Sequence, residues 1–155
     1  MKYSLGFLQI LVFTFCLIGC SKEKEQSDYI IFGKFYGMCG GDCFEVYKLK
    51  EGKLYEDTLV NYYMESFQFK SSQKRSIIEY QIAFDNLMEI PDELLQANSQ
   101  DFGCPDCYDQ GGYYLSFRKQ GNTLNFIIDP ANTEDQSPEI IMYKEKMGVV
   151  LDAIQ

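Results

Sequence analysis

The chain contains no histidine. That removes the commonest general base near neutral pH. A Ser-His-Asp triad and a Cys-His dyad are both excluded, as are metal sites that need imidazole. Catalysis would have to run on carboxylates, lysines, tyrosines or thiols, and no paired carboxylates stand out. Basic residues are also scarce: 14 Lys+Arg face 23 Asp+Glu, a formal charge of −9. Phosphate neutralisation supplies most of the affinity of nucleic-acid binders, so nucleic acid is not an expected partner. The same balance disfavours adhesion of the folded part to anionic lipid and favours a basic partner through long-range steering. The sequence holds no internal repeat and no low-complexity tract. We expect a non-enzymatic protein.

What is present begins with an export signal. Lys2 starts it, and an apolar run from Leu5 to Leu17 follows, interrupted lightly by Gly6, Gln9 and Thr14. Crossing a bilayer takes roughly 20 apolar residues, so this shorter run fits a signal rather than a membrane helix. It ends in Leu17-Ile18-Gly19-Cys20, and polar sequence starts at once. This ending resembles the lipobox of bacterial lipoproteins. The resemblance implies that residues 1–19 are removed and that Cys20 becomes the first residue, bearing a diacylglyceryl lipid. Position 21 is Ser. In the Gram-negative lipoproteins it resembles, Asp there tends to retain the protein at the inner membrane. Ser21 therefore implies the outer membrane, on its periplasmic or its surface face. The run Ser21-Lys22-Glu23-Lys24-Glu25 is similar to the short charged tags of surface-exported lipoproteins, and equally to a plain solvated tether. Each buried CH₂ contributes about 0.8 kcal/mol, and two or more acyl chains hold stably. The lipid then accounts for attachment without help from the domain.

Residues 20–28 read as a flexible tether and 29–155 as a single small domain. Asp28–Tyr36 is rich in β-branched and aromatic residues and predicts a strand. Phe44–Leu49 and Lys53–Thr58 flank a Gly52 turn, the mark of a hairpin. A second hairpin joins Gly112–Lys119 to Thr123–Asp129. Ser71 or Ser72 is expected to cap a helix to about Met88, with Ile77, Tyr80, Phe84, Leu87 and Met88 at helical spacing. Pro91 starts a short helix, Asp92 to Ala97. Ser137-Pro138 is an N-cap and first-turn pair. It opens a last helix carrying Ile140, Tyr143, Met147, Val150, Leu151 and Ile154 on one side. Gly148 should weaken that helix by about 1 kcal/mol. This order predicts an α+β fold: a mainly antiparallel sheet of four to five strands, with two helices packed on one face.

Four cysteines remain once Cys16 and Cys20 are set aside. They form two blocks, Cys39-Gly-Gly-Asp-Cys43 and Cys104-Pro-Asp-Cys107, in Gly- or Pro-rich loops. An exported protein meets an oxidising compartment, so disulfides are the first expectation. Closing each small loop contributes about 2 kcal/mol on the chain-entropy estimate, and cross-linking the blocks about 4. Chain entropy therefore favours the crossed pairing. A Cys₄ metal site, with zinc or iron, is the second reading, because the spacing suits a tetrahedral thiolate site. A redox-active pair and free thiols are the others. Against redox chemistry, Cys107 runs into a strand, whereas thiolate activation uses a helix N-terminus. Asp42, Asp106 and Asp109 crowd the same loops. Hard cations such as Ca²⁺ take several oxygen ligands, but Asp is also a turn former beside Gly and Pro.

The stretch Phe102-Gly-Cys-Pro-Asp-Cys-Tyr-Asp-Gln-Gly-Gly-Tyr113 resembles a block in small uncharacterised Gram-negative lipoproteins. Tyr36–Tyr47 and the hairpin ending in Ile128-Asp129 belong to the same likeness, which covers about Ile30 to the C-terminus. It implies kinship and no reaction.

Aromatic residues are plentiful, with 12 Tyr and 12 Phe. Tyr62-Tyr63 and Tyr113-Tyr114 could offer a stacking face for sugar or peptide. Adjacent strand residues point to opposite faces, however, so one of each pair should be packing. The reading that follows is a lipid-anchored cell-envelope lipoprotein, a non-enzymatic binding or accessory module with an unknown protein or envelope ligand. Charge makes a basic lytic enzyme one conceivable partner. The alternative is a thiolate metal-binding or thiol-dependent module built on Cys39/Cys43 and Cys104/Cys107. A carboxylate hydrolase stands third.

Cys20→Ala is expected to leave an unprocessed precursor that takes up no radioactive palmitate. Normal cleavage and labelling in that variant would remove the lipoprotein reading.

Overall fold

A computed structural model describes residues 28–37, 39, 43–58, 69, 72–97, 100–119 and 121–155. The signal, Cys20, most of the tether, Asp42 and Tyr62-Tyr63 lie outside the described residues. β1 (Tyr29–Phe35) is the middle of the sheet. Its run of Ile30, Ile31, Phe32 and Phe35 is buried on both faces, as a central strand requires. β2 (Phe44–Lys50) pairs antiparallel on one side, with Phe35 opposite Phe44. β6 (Gly112–Lys119) pairs antiparallel on the other, with Phe35 opposite Gly112. β3 (Lys53–Asp57) follows β2 through Glu51-Gly52, whose φ angles of 51° and 71° are those of a tight primed turn. β7 (Asn122–Ile128) follows β6.

The sheet has seven strands, ordered β4-β3-β2-β1-β6-β7-β5. That is more than the expected four to five. The additions are short edge strands, β4 (Ser72–Lys74) and β5 (Asp101–Phe102). β5 runs parallel to β7, so the sheet is mixed. Neither addition has enough residues to show an alternation in sequence; tertiary pairing alone makes them strands.

Among the described residues three helices complete the fold, where two were expected on one face: α1 (Ile77–Leu87), α2 (Asp92–Gln96) and α3 (Pro138–Ile154). α1 is capped by Ser76, not by Ser71 or Ser72. Ser76 Oγ accepts from Glu79 N at 3.3 Å, and Ser76 N donates to Glu79 Oε2 at 2.7 Å. This reciprocal box fits a Ser-x-x-Glu spacing, and it frees Ser72 to join β4 opposite Asp57. The buried side of α1 matches the expected one in part. Leu87 is buried and Tyr80 packs against the core, joined by Ala83, while Ile77, Phe84 and Met88 stay exposed. Arg75 ties the helix ends together. It bonds Glu56 at 2.7 Å, Glu79, and the carbonyl of Ile154 at the end of α3.

The core lies between the helices and one sheet face. Ile30, Phe32, Tyr47, Leu54, Leu115 and Phe126 meet Leu87, Leu94, Met147 and Leu151 there. Every expected apolar position of α3 is buried. Gly148 has a packing reason, because a Cβ there would lie 2.9 Å from the Tyr113 hydroxyl. Tyr143 donates 2.8 Å to the Leu87 carbonyl, satisfying the end of α1. On the other face Lys48 sits over the Tyr29 ring at 4.5 Å and the Phe69 ring at 5.4 Å. No helix among the described residues is long and apolar enough to cross a membrane.

Ser76→Ala should lower unfolding free energy by about 1 kcal/mol, while Ser72→Ala should lie within about 0.5 kcal/mol of wild type. Urea unfolding of both variants checks the position of the cap.

Candidate functional site

The register places both cysteine blocks at one end of the sheet. The first follows Phe35 and precedes Phe44, which pair with each other. The second precedes Gly112, which pairs with Phe35 from the other side. Tyr36 N donates to Cys43 O at 2.9 Å, continuing the β1–β2 ladder to the first block. The loops touch: a Cβ on Gly37 would fall 1.8 Å from an Asp106 carboxylate oxygen, and one on Gly111 would fall 2.1 Å from Phe35 O. Both glycines exist because backbone and carboxylate approach this closely.

Each block closes on itself. Cys39 bonds Cys43 and Cys104 bonds Cys107, with Cα–Cα separations of 5.6 and 5.5 Å. Chain entropy favoured the crossed pairing; geometry selects the local one. The β1–β2 pairing closes the loop that holds Cys39 and Cys43, and a turn in which Cys107 N donates to Cys104 O at 3.2 Å closes the second pair, so each is within disulfide reach. A sulfur in a disulfide is no thiolate, so in this state the four cysteines do not make the Cys₄ site that spacing suggested.

The Cys104 loop is folded by its own polar groups. Asp106 and Asp109 take φ angles of 61° and 58°, and Gly103 and Gly111 take 76° and 73°. Asp106 N donates to Gly111 O at 2.9 Å, and Gly111 N returns a 2.9 Å bond to Asp106 Oδ1. Gln110 Nε2 donates to Cys104 O at 3.1 Å. The Asp106 carboxylate thus does turn chemistry, as Asp can in left-handed conformations. No group of three Cys, Asp or Glu among the described residues is placed to hold a metal. Asp42, the third cation candidate, lies outside them.

A second loop, residues 129–136, holds the first from below. Asp129 Oδ2 accepts from Cys104 N at 2.9 Å, and its Oδ1 accepts from Ala131 N at 2.8 Å. Asp135 Oδ2 accepts from Gly103 N at 2.7 Å, and its Oδ1 accepts from Thr133 Oγ1 at 2.5 Å. The Gly103 amide, then the Thr133 hydroxyl, hold the Asp135 carboxyl below the usual carboxylate range. The holding loop is itself held by Lys144, only 2% exposed. Its ammonium donates to Asp129 O at 3.0 Å, Ala131 O at 2.9 Å, Asn132 Oδ1 at 2.9 Å and Gln136 Oε1 at 2.6 Å. Burial lowers its pKa. Four acceptors surround three N–H donors, so the oxygens share them. Sequence reasoning missed Lys144 and Asp129. The signal was available: Lys144 lies four residues after Ile140 and three before Met147, inside the apolar stripe of α3.

The aromatics divide as strand geometry demands. Tyr113 faces the helices and reaches Gly148; Tyr114 faces the other way, with Lys34 near the Tyr113 ring at 5.8 Å. Beside these loops the exposed aromatics are Tyr36 (46% exposed) and Tyr108 (89%). The described residues of this end face thus carry two projecting rings beside the Asp106 turn.

Lys144→Met is expected to cost at least about 2 kcal/mol, because buried oxygens lose their donor, and amide exchange should rise first in residues 100–111 and 129–136. Asp135 has a depressed pKa, so its contribution is present above the ordinary value near 3.9. It is lost as pH falls through the lowered folded value. Amide protection of Gly103 should drop in that acidic window, and Asp135→Asn should remove the pH dependence.

No protein-family model matches the chain, and no curated protein proves similar to it.

Proposed function

We propose that this protein is a lipid-anchored binding module of the cell envelope, held by Cys20 at one end of its sheet and presenting the two disulfide-closed loops at the other. The polarity of β1 carries the reading. The chain enters at Tyr29 and reaches the Cys39 block after Phe35, a rise of about 20 Å. The chain therefore enters the domain at the end of β1 opposite the loops, an arrangement that suits loops facing away from an attached membrane. The Cys104 loop is braced by its disulfide and by the Asp129 and Asp135 bonds before any partner arrives. Stiff presentation lowers the entropy cost of binding. Exposed Tyr36 and Tyr108 supply apolar area with a polar tip, the composition typical of interface anchors. The formal charge of −9 steers a basic partner toward them.

The thiol-dependent reading is kept second on one observation: Cys104 and Cys107 are both exposed. No helix starts at Cys104 to activate a thiolate there.

A photo-crosslinking residue placed at position 108 in the lipidated protein should give a discrete protein adduct in cells, weakened by Tyr36→Ala. Absence of any adduct from positions 36 and 108 would count against the binding module. A mixed disulfide trapped by Cys107→Ser and dissolved by reductant would instead favour thiol exchange.

A further inference from the structure

α1 leaves an apolar line uncovered. Ile77, Phe84 and Met88 are 70%, 39% and 47% exposed, and they recur at i, i+7 and i+11, along one side of the helix. The line runs into a pocket of about 180 Å³ that Tyr80, Phe84 and Met88 help to wall. Lys50, Arg118 and Lys119 line the same pocket, together with the carboxylates of Asp28 and Glu51. Lys50 pairs with Glu51 at 3.6 Å; counting both, three cations line the pocket beside two acids, against the balance of the whole chain. Asp28 also marks where the chain enters the domain, so the tether leaves from the pocket itself. Only residues 21–27 separate Asp28 from Cys20, a reach of at most about 28 Å.

We propose that this face seats on the phospholipid bilayer that carries the anchor. Phe84 and Met88 enter the headgroup layer, and the cations beside the pocket meet lipid phosphates. The proposal rests on the lipid-anchor reading. Exposed apolar patches rimmed by polar groups mark interaction or membrane surfaces, and apolar area beside Lys and Arg is the composition of interfacial helices. The tether supplies the rest. A short linker raises the effective concentration to about the millimolar range, so a contact too weak for a free domain is populated here. The acidic balance of the chain makes zwitterionic phospholipid the better surface. Seating also orients the molecule: with α1 down, the cysteine loops point outward.

The chain has no tryptophan, so a single introduced indole reports its own surroundings. Met88→Trp, Phe84→Trp, Ile78→Trp and Tyr108→Trp are each made in the full lipidated protein. Each is reconstituted in phosphatidylcholine vesicles with and without doxyl-labelled phosphatidylcholine. Flotation with the vesicles tests the anchor first, and failure to float overturns the lipoprotein reading. For floating protein, Met88→Trp and Phe84→Trp should show blue-shifted emission, quenched severalfold more than Ile78→Trp and Tyr108→Trp. Lys119→Glu in the Met88→Trp background should reduce that quenching. Floating protein whose four indoles are quenched alike, or not at all, overturns the seating.

Discussion

A single buried ammonium organises the end of the molecule that matters most. Lys144 reaches from the inner side of α3 into the loop that follows β7 and bonds four oxygens there. Without that charge Asn132 Oδ1 and Gln136 Oε1 would lose its hydrogen bonds, and the Asp129 and Ala131 carbonyls would keep only Gln136 as donor, a loss that costs more than a hydrogen bond contributes. With it, the loop is held in one shape. Asp129 and Asp135 then stand where they accept from Cys104 N and Gly103 N. The chain of dependence runs from helix to loop to disulfide. Gln136 reinforces it, donating to Asp129 O at 3.2 Å and Ala131 O at 3.0 Å.

The sheet gives this arrangement a direction. β1 sits in the middle of the sheet, and the two cysteine blocks meet at its end. The groove beside α1 lies where the chain enters. Two surfaces of different chemistry are thus separated by the length of one strand. The entrance end is apolar with cations; the loop end carries tyrosines and carboxylates.

The disulfides illustrate how tertiary structure outranks chain statistics. Loop-closure entropy acts on the unfolded chain and rewards long loops. The bond itself forms only where the sulfurs meet. The β1–β2 register brings the first pair within reach; a local turn brings the second, with Cys104 N held by Asp129 of the neighbouring loop. The modest entropic yield of two small loops is accompanied by local stiffness at an exposed end.

Much of the fold was legible in the chain. β1, β2, β3, β6 and β7 announce themselves by β-branched and aromatic runs between turn glycines, and α3 by a long apolar stripe behind Ser137-Pro138. Composition alone excluded imidazole chemistry and made nucleic acid an unexpected partner. What stayed hidden depended on partners distant in sequence. β4 and β5 are polar or two residues long and exist only by pairing. The start of α1 turned on a choice among three serines that Glu79 decides by reaching back to Ser76. Which side of α1 is buried was set by the sheet beneath it, since Ile77 and Phe84 are as apolar as Ala83 and Leu87. Lys144 resembles a solvated lysine until the loop after β7 folds over it. Local propensity and period are properties of short segments, and sequence carries them openly; register, cysteine pairing and the burial of a charge are properties of segments brought together, and only the tertiary structure decides those.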